Sequence, residues 1–224
     1  MTEKDEDLRK WRLPRGRHGL PREMVIRSQR ERLLAAVVRV AAEKGYEATS
    51  VADILEEAGV GRESFYELFD DKRDCILAAH AVLVDHLEAT VRAVYEEPGP
   101  WAGRVRKALA AMLEWLAADP AAARVTIVEL AVVGAVSRER FQADFQRFTK
   151  LLEDGRDDPR PGRPQASELA IGAGLAWVYE EVVCGRTAEL PNLLPELTYE
   201  VLVPFLGEEA ARTEQVRAAE TIAT

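Results

Sequence analysis

The sequence predicts an all-α protein, with a three-helix helix-turn-helix unit near the N-terminus followed by a larger helical bundle. Three observations carry this expectation. Apolar residues recur at three- and four-residue spacings along most of the chain, and no stretch alternates apolar with polar residues as a half-buried strand does. Glycine and proline interrupt the periodic stretches where helices must end, at Gly45, Gly59, Pro98-Gly99-Pro100 and Asp119-Pro120. The 224 residues are 47% hydrophobic and 31% charged, which is ordinary for a chain that folds into one large or two modest domains.

Residues 1–27 read as a basic arm, because Pro14, Gly16, Gly19 and Pro21 break any helix there. The first helix begins near Ser28, carries Leu33, Leu34, Val37, Val40 and Ala41 on one face, and stops at Gly45. Thr49 is placed to cap a short second helix with Val51, Ile54, Leu55 and Ala58, which Gly59 ends. A third, about Arg62 to Phe69, sets Phe65 and Phe69 one turn apart. After an Asp70-Asp71-Lys72 turn, longer helices are expected over about 74–96 and 101–118. One or two more span 121–153, with a break near Gly134 and a cap at Ser137. The Pro- and Gly-rich stretch 154–164 reads as a loop, and late helices follow over about 165–184 and 191–206. The acidic tail after Gly207 is left open between helix and frayed end. The expected domains are an arm at 1–27, a helix-turn-helix unit at 28–74 and a helical body at 75–224.

Charge is distributed unevenly. Between Leu8 and Arg32 stand nine basic residues and two acids, a net +7 in a chain of net −9, which leaves −16 elsewhere. Such a segment is either a solvated tail or an arm drawn to phosphate. A Debye length of ~8 Å hides a distant acidic body from a local basic patch. No apolar run approaches the ~20 residues of a membrane span, and the opening MTEKDEDLRK lacks the apolar stretch of a secretory signal. Cys75 and Cys184 have no metal-ligand spacing. A cytoplasmic chain without disulfide, metal or cofactor is the expectation, and no partner membrane is expected.

The informative segment runs from Gly45 to Lys72. Two short helices flank the tight turn Ala58-Gly59-Val60-Gly61, from which Val60 drops into the core. With Phe65 and Phe69 inward, Arg62, Glu63, Ser64 and Tyr66 face outward. A short exposed helix with polar residues in its first turn can enter a major groove. The N-termini of both short helices, Thr49-Ser50 at the first, aim N–H groups at any nearby phosphate. Arg62 is best placed for bidentate contact with guanine O6 and N7, whereas Glu63 either accepts from cytosine N4 or repels phosphate.

At these residues the chain resembles the tetracycline-repressor (TetR) family of bacterial regulators. The pairs Gly45-Tyr46, Thr49-Ser50 and Asp53-Ile54, the triplet Ala58-Gly59-Val60, and Phe65-Tyr66, Phe69 and Asp71-Lys72 carry the resemblance over about residues 28–75. Gly61 stands where the family usually has Ser or Thr, and Leu68 where a polar residue is frequent. The resemblance implies DNA contacts by Tyr66 and Lys72, and a C-terminal body that dimerises and binds a small effector.

Within the body, Trp101, Met112, Trp115, Trp177 and Tyr179 either line an apolar cavity or fill the core, and Glu180 either meets a ligand cation or is solvated. Trp115, Trp177 and Glu180 are the candidate ligand contacts. Gly172-Ala173-Gly174 reads as a close packing point between helices. No nucleophile elbow, phosphate loop, metal motif or catalytic carboxylate pair appears, so no catalytic residue is assigned. The expected function is a homodimeric regulator, a repressor released from a palindromic operator in double-stranded DNA by an apolar or amphipathic ligand. The alternative is a constitutive DNA-binding protein with a solid helical core.

Overall fold

The computed structural model describes residues 21–129, 133, 135–154 and 166–222. The arm up to residue 20, Gly134 and the stretch 155–165, which covers nearly all of the expected loop, lie outside the described residues. The chain divides into two compact units, one up to Ala79 and one from His80 onward. All regular structure among the described residues is helical.

In the first unit, α1 spans Arg22–Lys44, α2 Val51–Ala58 and α3 Arg62–Tyr66, and α4 (Lys72–Tyr95) begins there. Helix α1 starts at Arg22, earlier than Ser28. Its first turns carry no apolar face, so periodicity gave no signal. Arg, Glu, Met and Gln nevertheless favour helix, and Arg27 donates to Glu31 at 3.2 Å one turn on. Pro21 precedes the helix at φ −52°, a conformation suited to entering one. Packing closes around Leu33, Ala36, Val37, Ala41, Ile54 and Phe65, none of which exposes any surface.

The second unit continues α4 and adds α5 (Trp101–Ala118), α6 (Pro120–Ile127), α7 (Ala135–Asp154) and α8 (Ala166–Val183). A 3-10 helix (Thr187–Leu193), α9 (Leu194–Leu206) and α10 (Glu208–Ile222) complete it. Asp119 caps α6 by accepting from the N–H groups of Ala121 and Ala122 at 3.0 Å. Ser137 lies inside α7 and is no cap. One core cluster gathers Leu87, Val91, Trp101, Val105, Leu152 and Leu202. A second gathers Leu113, Leu116, Val178, Val182, Leu190, Leu194 and Leu197. Gly174 is a close packing point, since a Cβ there would stand 3.3 Å from Leu197 Cδ2, whereas Gly172 faces open space. The acidic tail is a packed helix. Its Ala211 and Ala218 are buried, and its buried Glu214 accepts from Arg106 Nε at 3.2 Å.

Cys75 reports on the first core. Its Sγ–H points at the Leu33 carbonyl 3.9 Å away, and burial pushes the thiol up to about 12. Leu33→Ala should cost ~2–5 kcal/mol in urea unfolding, the usual range for a buried leucine. The Cys75 thiol should resist a water-soluble maleimide in the parent protein and react faster in that variant.

Candidate nucleic-acid interface and effector cavity

Helix α2 is held by polar contacts at each end. Ser50 is the N-cap of α2, one residue later than expected. Its Oγ accepts from the Asp53 N–H at 3.2 Å, and the Asp53 carboxylate accepts from the Ser50 N–H at 2.8 Å, a reciprocal capping box. Lys44 at the end of α1 reaches Asp53 at 2.7 Å, and Arg39 donates to Glu57 at 2.5 Å. The Lys44 and Ser50 hydrogen bonds hold the Asp53 carboxyl well below the usual carboxylate range.

The turn between α2 and α3 needs glycine. Gly59 is left-handed at φ 59°, ψ 39°. The Arg32 guanidinium from α1 donates to the carbonyls of Ala58 and, at 2.7 Å, Gly59. It thereby places a cation at the negative end of α2. A Cβ on Gly59 would come within 2.9 Å of that guanidinium.

Helix α3 spans one turn and a half. Phe65 is its buried residue, in edge contact with Tyr66 at 5.3 Å and tilted against Phe69 at 5.7 Å. Burying Phe65 turns Arg62, Glu63 and Tyr66 to solvent, with Tyr66 50% exposed. Ser64 is half-buried and accepts from Gln29 Nε2 at 3.3 Å.

The other expected contacts are placed differently. Thr49 is 2% exposed and donates its hydroxyl to the Gly45 carbonyl at 2.8 Å. Lys72 donates to the carbonyls of Tyr46, Glu47 and Thr49 at 3.0, 3.1 and 2.7 Å, and stands 4.6 Å from the centre of the Tyr46 ring. An ammonium has three protons, and these three carbonyls take them. The exposed set is thus Ser50, Arg62, Glu63 and Tyr66, with Lys72, Arg32 and Thr49 bracing the backbone beneath it. None of these three braces was legible in the sequence, because carbonyl acceptors leave no mark in it.

The second unit holds a partly open cavity of about 180 Å³. Val84, Leu87 and Val91 from α4 line it with Met112 from α5, Phe141, Phe145 and Phe148 from α7, Val178 from α8 and Val201 from α9. Trp115, Trp177 and Glu180 do not line it. Trp115 packs against the core and lies edge-on to His86 at 5.9 Å. Trp177 is 42% exposed, and Glu180 accepts from the Cys184 thiol at 3.4 Å. The aromatic lining comes instead from Phe141, Phe145 and Phe148, whose spacing of four and three residues was the available signal. His80, Thr126 and Asp144 also reach the wall. Burial pushes the His80 imidazole down to about 4, against a hydrogen bond to the Thr126 backbone that raises it. Burial likewise raises the Asp144 carboxyl, opposed by Arg147. Among the described residues no cluster of His, Cys, Asp or Glu is arranged to hold a metal, and no helix is long and apolar enough to cross a membrane.

Residues 33–79 match the family of bacterial regulatory proteins described as the tetR family. The chain is 30% identical over 142 residues to an uncharacterized HTH-type transcriptional regulator in the lacX 3' region of Lactococcus lactis, spanning 58% of this chain and 68% of that protein. The chain belongs to the tetR family. It is also 29% identical over 122 residues to the uncharacterized HTH-type transcriptional regulator YezE of Bacillus subtilis, spanning 54% of this chain but only 63% of YezE. The fold is shared with the fatty acid degradation regulator FadR of Bacillus halodurans, at TM-score 0.70 and 21% identity over 80% of this chain and 96% of that one. FadR of Bacillus subtilis, solved in complex with stearoyl-CoA, aligns at TM-score 0.67 and 19% identity over 79% of this chain and 98% of that one.

The cap on α2 is testable. Ser50→Ala should cost ~0.5–2 kcal/mol, the range for losing an N-cap. Asp53 has a folded pKa below its unfolded one, so its stabilisation is present above the unfolded carboxylate range near ~3.9 and is lost as pH falls through the depressed folded value. The stability gap between the parent protein and Asp53→Asn should therefore be full near neutral pH and shrink steadily in acid.

Proposed function

We propose that the chain is a DNA-binding transcription regulator that works as a homodimer and leaves its operator when a small, largely apolar effector fills the cavity. The observation that carries the reading is the outward face of α3. It presents Arg62, Glu63 and Tyr66 on a helix whose opposite side is anchored by Phe65. Arg62 reads a guanine and Tyr66 supports it at base or phosphate. Ser50 and the N–H groups beside it meet the backbone at the start of α2. Thr49 and Lys72 act beneath this surface by fixing the segment that carries Ser50, and Ser64 sits at its margin. The arm adds sequence-independent attraction to phosphate.

A second copy of the chain supplies the other half-site. One helix-turn-helix reads few base pairs, and a two-fold axis doubles it. The exposed face of α8 that carries Leu169, Ala173, Ala176 and Val183, with Glu180 on the same face and Trp177 beside it, supports dimerisation there. Leu194, Val201 and Leu202 of α9 are buried within their own unit and offer a partner no surface. Effector release is supported by the cavity, which a constitutive binder with a solid core would lack. The stearoyl-CoA in the Bacillus subtilis FadR structure is a precedent on the same fold. Helix α4, whose His80, Val84, Leu87, Val91 and Tyr95 line the cavity, continues N-terminally into the first unit and offers a route for coupling. An effector can shift the protein off DNA only by its difference in affinity between the two states.

Selection of binding sites from random DNA should return a palindrome whose halves lie about one helical turn, ~34 Å, apart. Arg62→Ala should relax one base position and cost ~1–3 kcal/mol. Lys72→Met should weaken binding through lost stability while leaving the slope of log affinity against log salt unchanged. A slope reduced by about one ion would instead assign Lys72 a phosphate. Ala173→Glu on the exposed face of α8 should give a folded monomer in sedimentation, with operator affinity reduced. A dimer that persists would place the interface elsewhere.

A further inference from the structure

The cavity walls state what chemistry they accept. They are hydrocarbon over nearly their whole extent, and among the described residues no lysine or arginine lines them. The charged or basic side chains at the wall are Asp144 and His80. Among the described lining an anionic head group would find no cation, and it would face the Asp144 carboxylate, whose other oxygen accepts from Arg147 at 3.5 Å.

The polar atoms gather at one corner. His80 comes from α4, Thr126 from α6 and Asp144 from α7. The imidazole hydrogen-bonds the Thr126 backbone, an N–H donating to a carbonyl, so the other ring nitrogen, Nδ1, is a lone-pair acceptor in the neutral ring. Nδ1 stands 3.8 Å from Asp144 Oδ2, beyond hydrogen-bond range. His80 Nδ1, Asp144 Oδ2 and Thr126 Oγ1 are all buried, and none has a hydrogen-bond partner. Buried polar atoms are rarely left so. Two acceptors face each other with no donor between them, and a hydroxyl that can donate or accept lies on the neighbouring helix.

We propose that this corner receives the polar head of the effector, and that the effector is a mainly hydrocarbon molecule whose head donates hydrogen bonds and carries no negative charge, an alcohol or an amine. The head enters between His80 and Asp144 with a small rotation of either side chain and donates to one or both. Thr126 Oγ1 donates to the lone pair of an alcohol. A carboxylate or phosphate head is disfavoured at this corner. The proposal rests on reading the cavity as the effector site.

The test uses the full-length protein near neutral pH with bound N-phenyl-1-naphthylamine, a neutral apolar fluorophore. Three probes of equal chain length, 1-octanol, octylamine and octanoate, are titrated against it. Octanol, octylamine or both should displace the dye at concentrations about tenfold or more below those needed with octanoate, and which of the two does so identifies the head. Asp144→Asn should remove most of the preference for octylamine, and His80→Phe with Thr126→Val should remove most of the preference for octanol. The parent titrations stand by themselves if a variant fails to fold. Octanoate binding as tightly as the better of the other two overturns the proposal while leaving the effector reading intact, as does a bound dye that none of the three displaces. A protein that takes up neither dye nor probe overturns the effector reading and the proposal with it. Head selectivity without operator release overturns only the coupling to DNA.

Discussion

A helix of five residues cannot hold itself in water, because nucleation fixes several dihedrals for each of its first hydrogen bonds. Helix α3 exists because Phe65 is buried without remainder in the first unit. That one side chain sets the rotation of the helix about its axis and so decides which residues face out. Arg62, Glu63 and Tyr66 owe their exposure to it. The surroundings then restrict the backbone from both sides. Arg32 grips the carbonyls of Ala58 and Gly59 at the entry to the turn, and Lys72 grips three carbonyls in the segment that leads to α2.

These grips change how the basic residues should be counted. Arginines and lysines in the first unit are natural partners for phosphate, yet several are already engaged inside it. Arg32 and Lys72 hold carbonyls, Arg39 and Lys44 hold Glu57 and Asp53, and Arg30 lies 5.7 Å from the centre of the Phe69 ring. A cation engaged on buried or half-buried acceptors lends its field to the neighbourhood but little of its hydrogen-bonding capacity. The local positive charge visible in the sequence is therefore divided between a scaffold and a surface, and Arg62 is left as the cation on the outward face of α3.

The second unit follows a different logic. Its aromatic residues divide by role in a way that composition conceals. Trp101 is buried, with its indole N–H shared between the Tyr95 hydroxyl and the Leu152 carbonyl. Trp177 lies on an exposed face, and three phenylalanines of α7 meet the cavity. Tryptophan carries a polar N–H that needs a partner when buried, whereas phenylalanine suits a dry wall. The polar corner at His80, Thr126 and Asp144 stands out because everything around it is hydrocarbon.

The sequence by itself determined the local features of this protein. Apolar spacing set the helices, Gly59 set the end of α2, and the combination from Gly45 to Lys72 set the helix-turn-helix, while the cap of α2 fell on Ser50 and not on Thr49. Each depends on residues within a few positions of one another, where backbone sterics and short-range hydrogen bonds act. Helix α1 escaped at its start because an exposed helical turn needs no apolar face. Only the tertiary structure decided that Thr49 points inward, that Lys72 reaches carbonyls 23 to 26 residues away, and that Phe141, Phe145 and Phe148 line the cavity in place of Trp115 and Trp177. The physical reason is the same in each case. Backbone acceptors are identical at every position in the chain, and a cavity is the space that several helices fail to fill together, so neither leaves a mark in any single stretch of sequence.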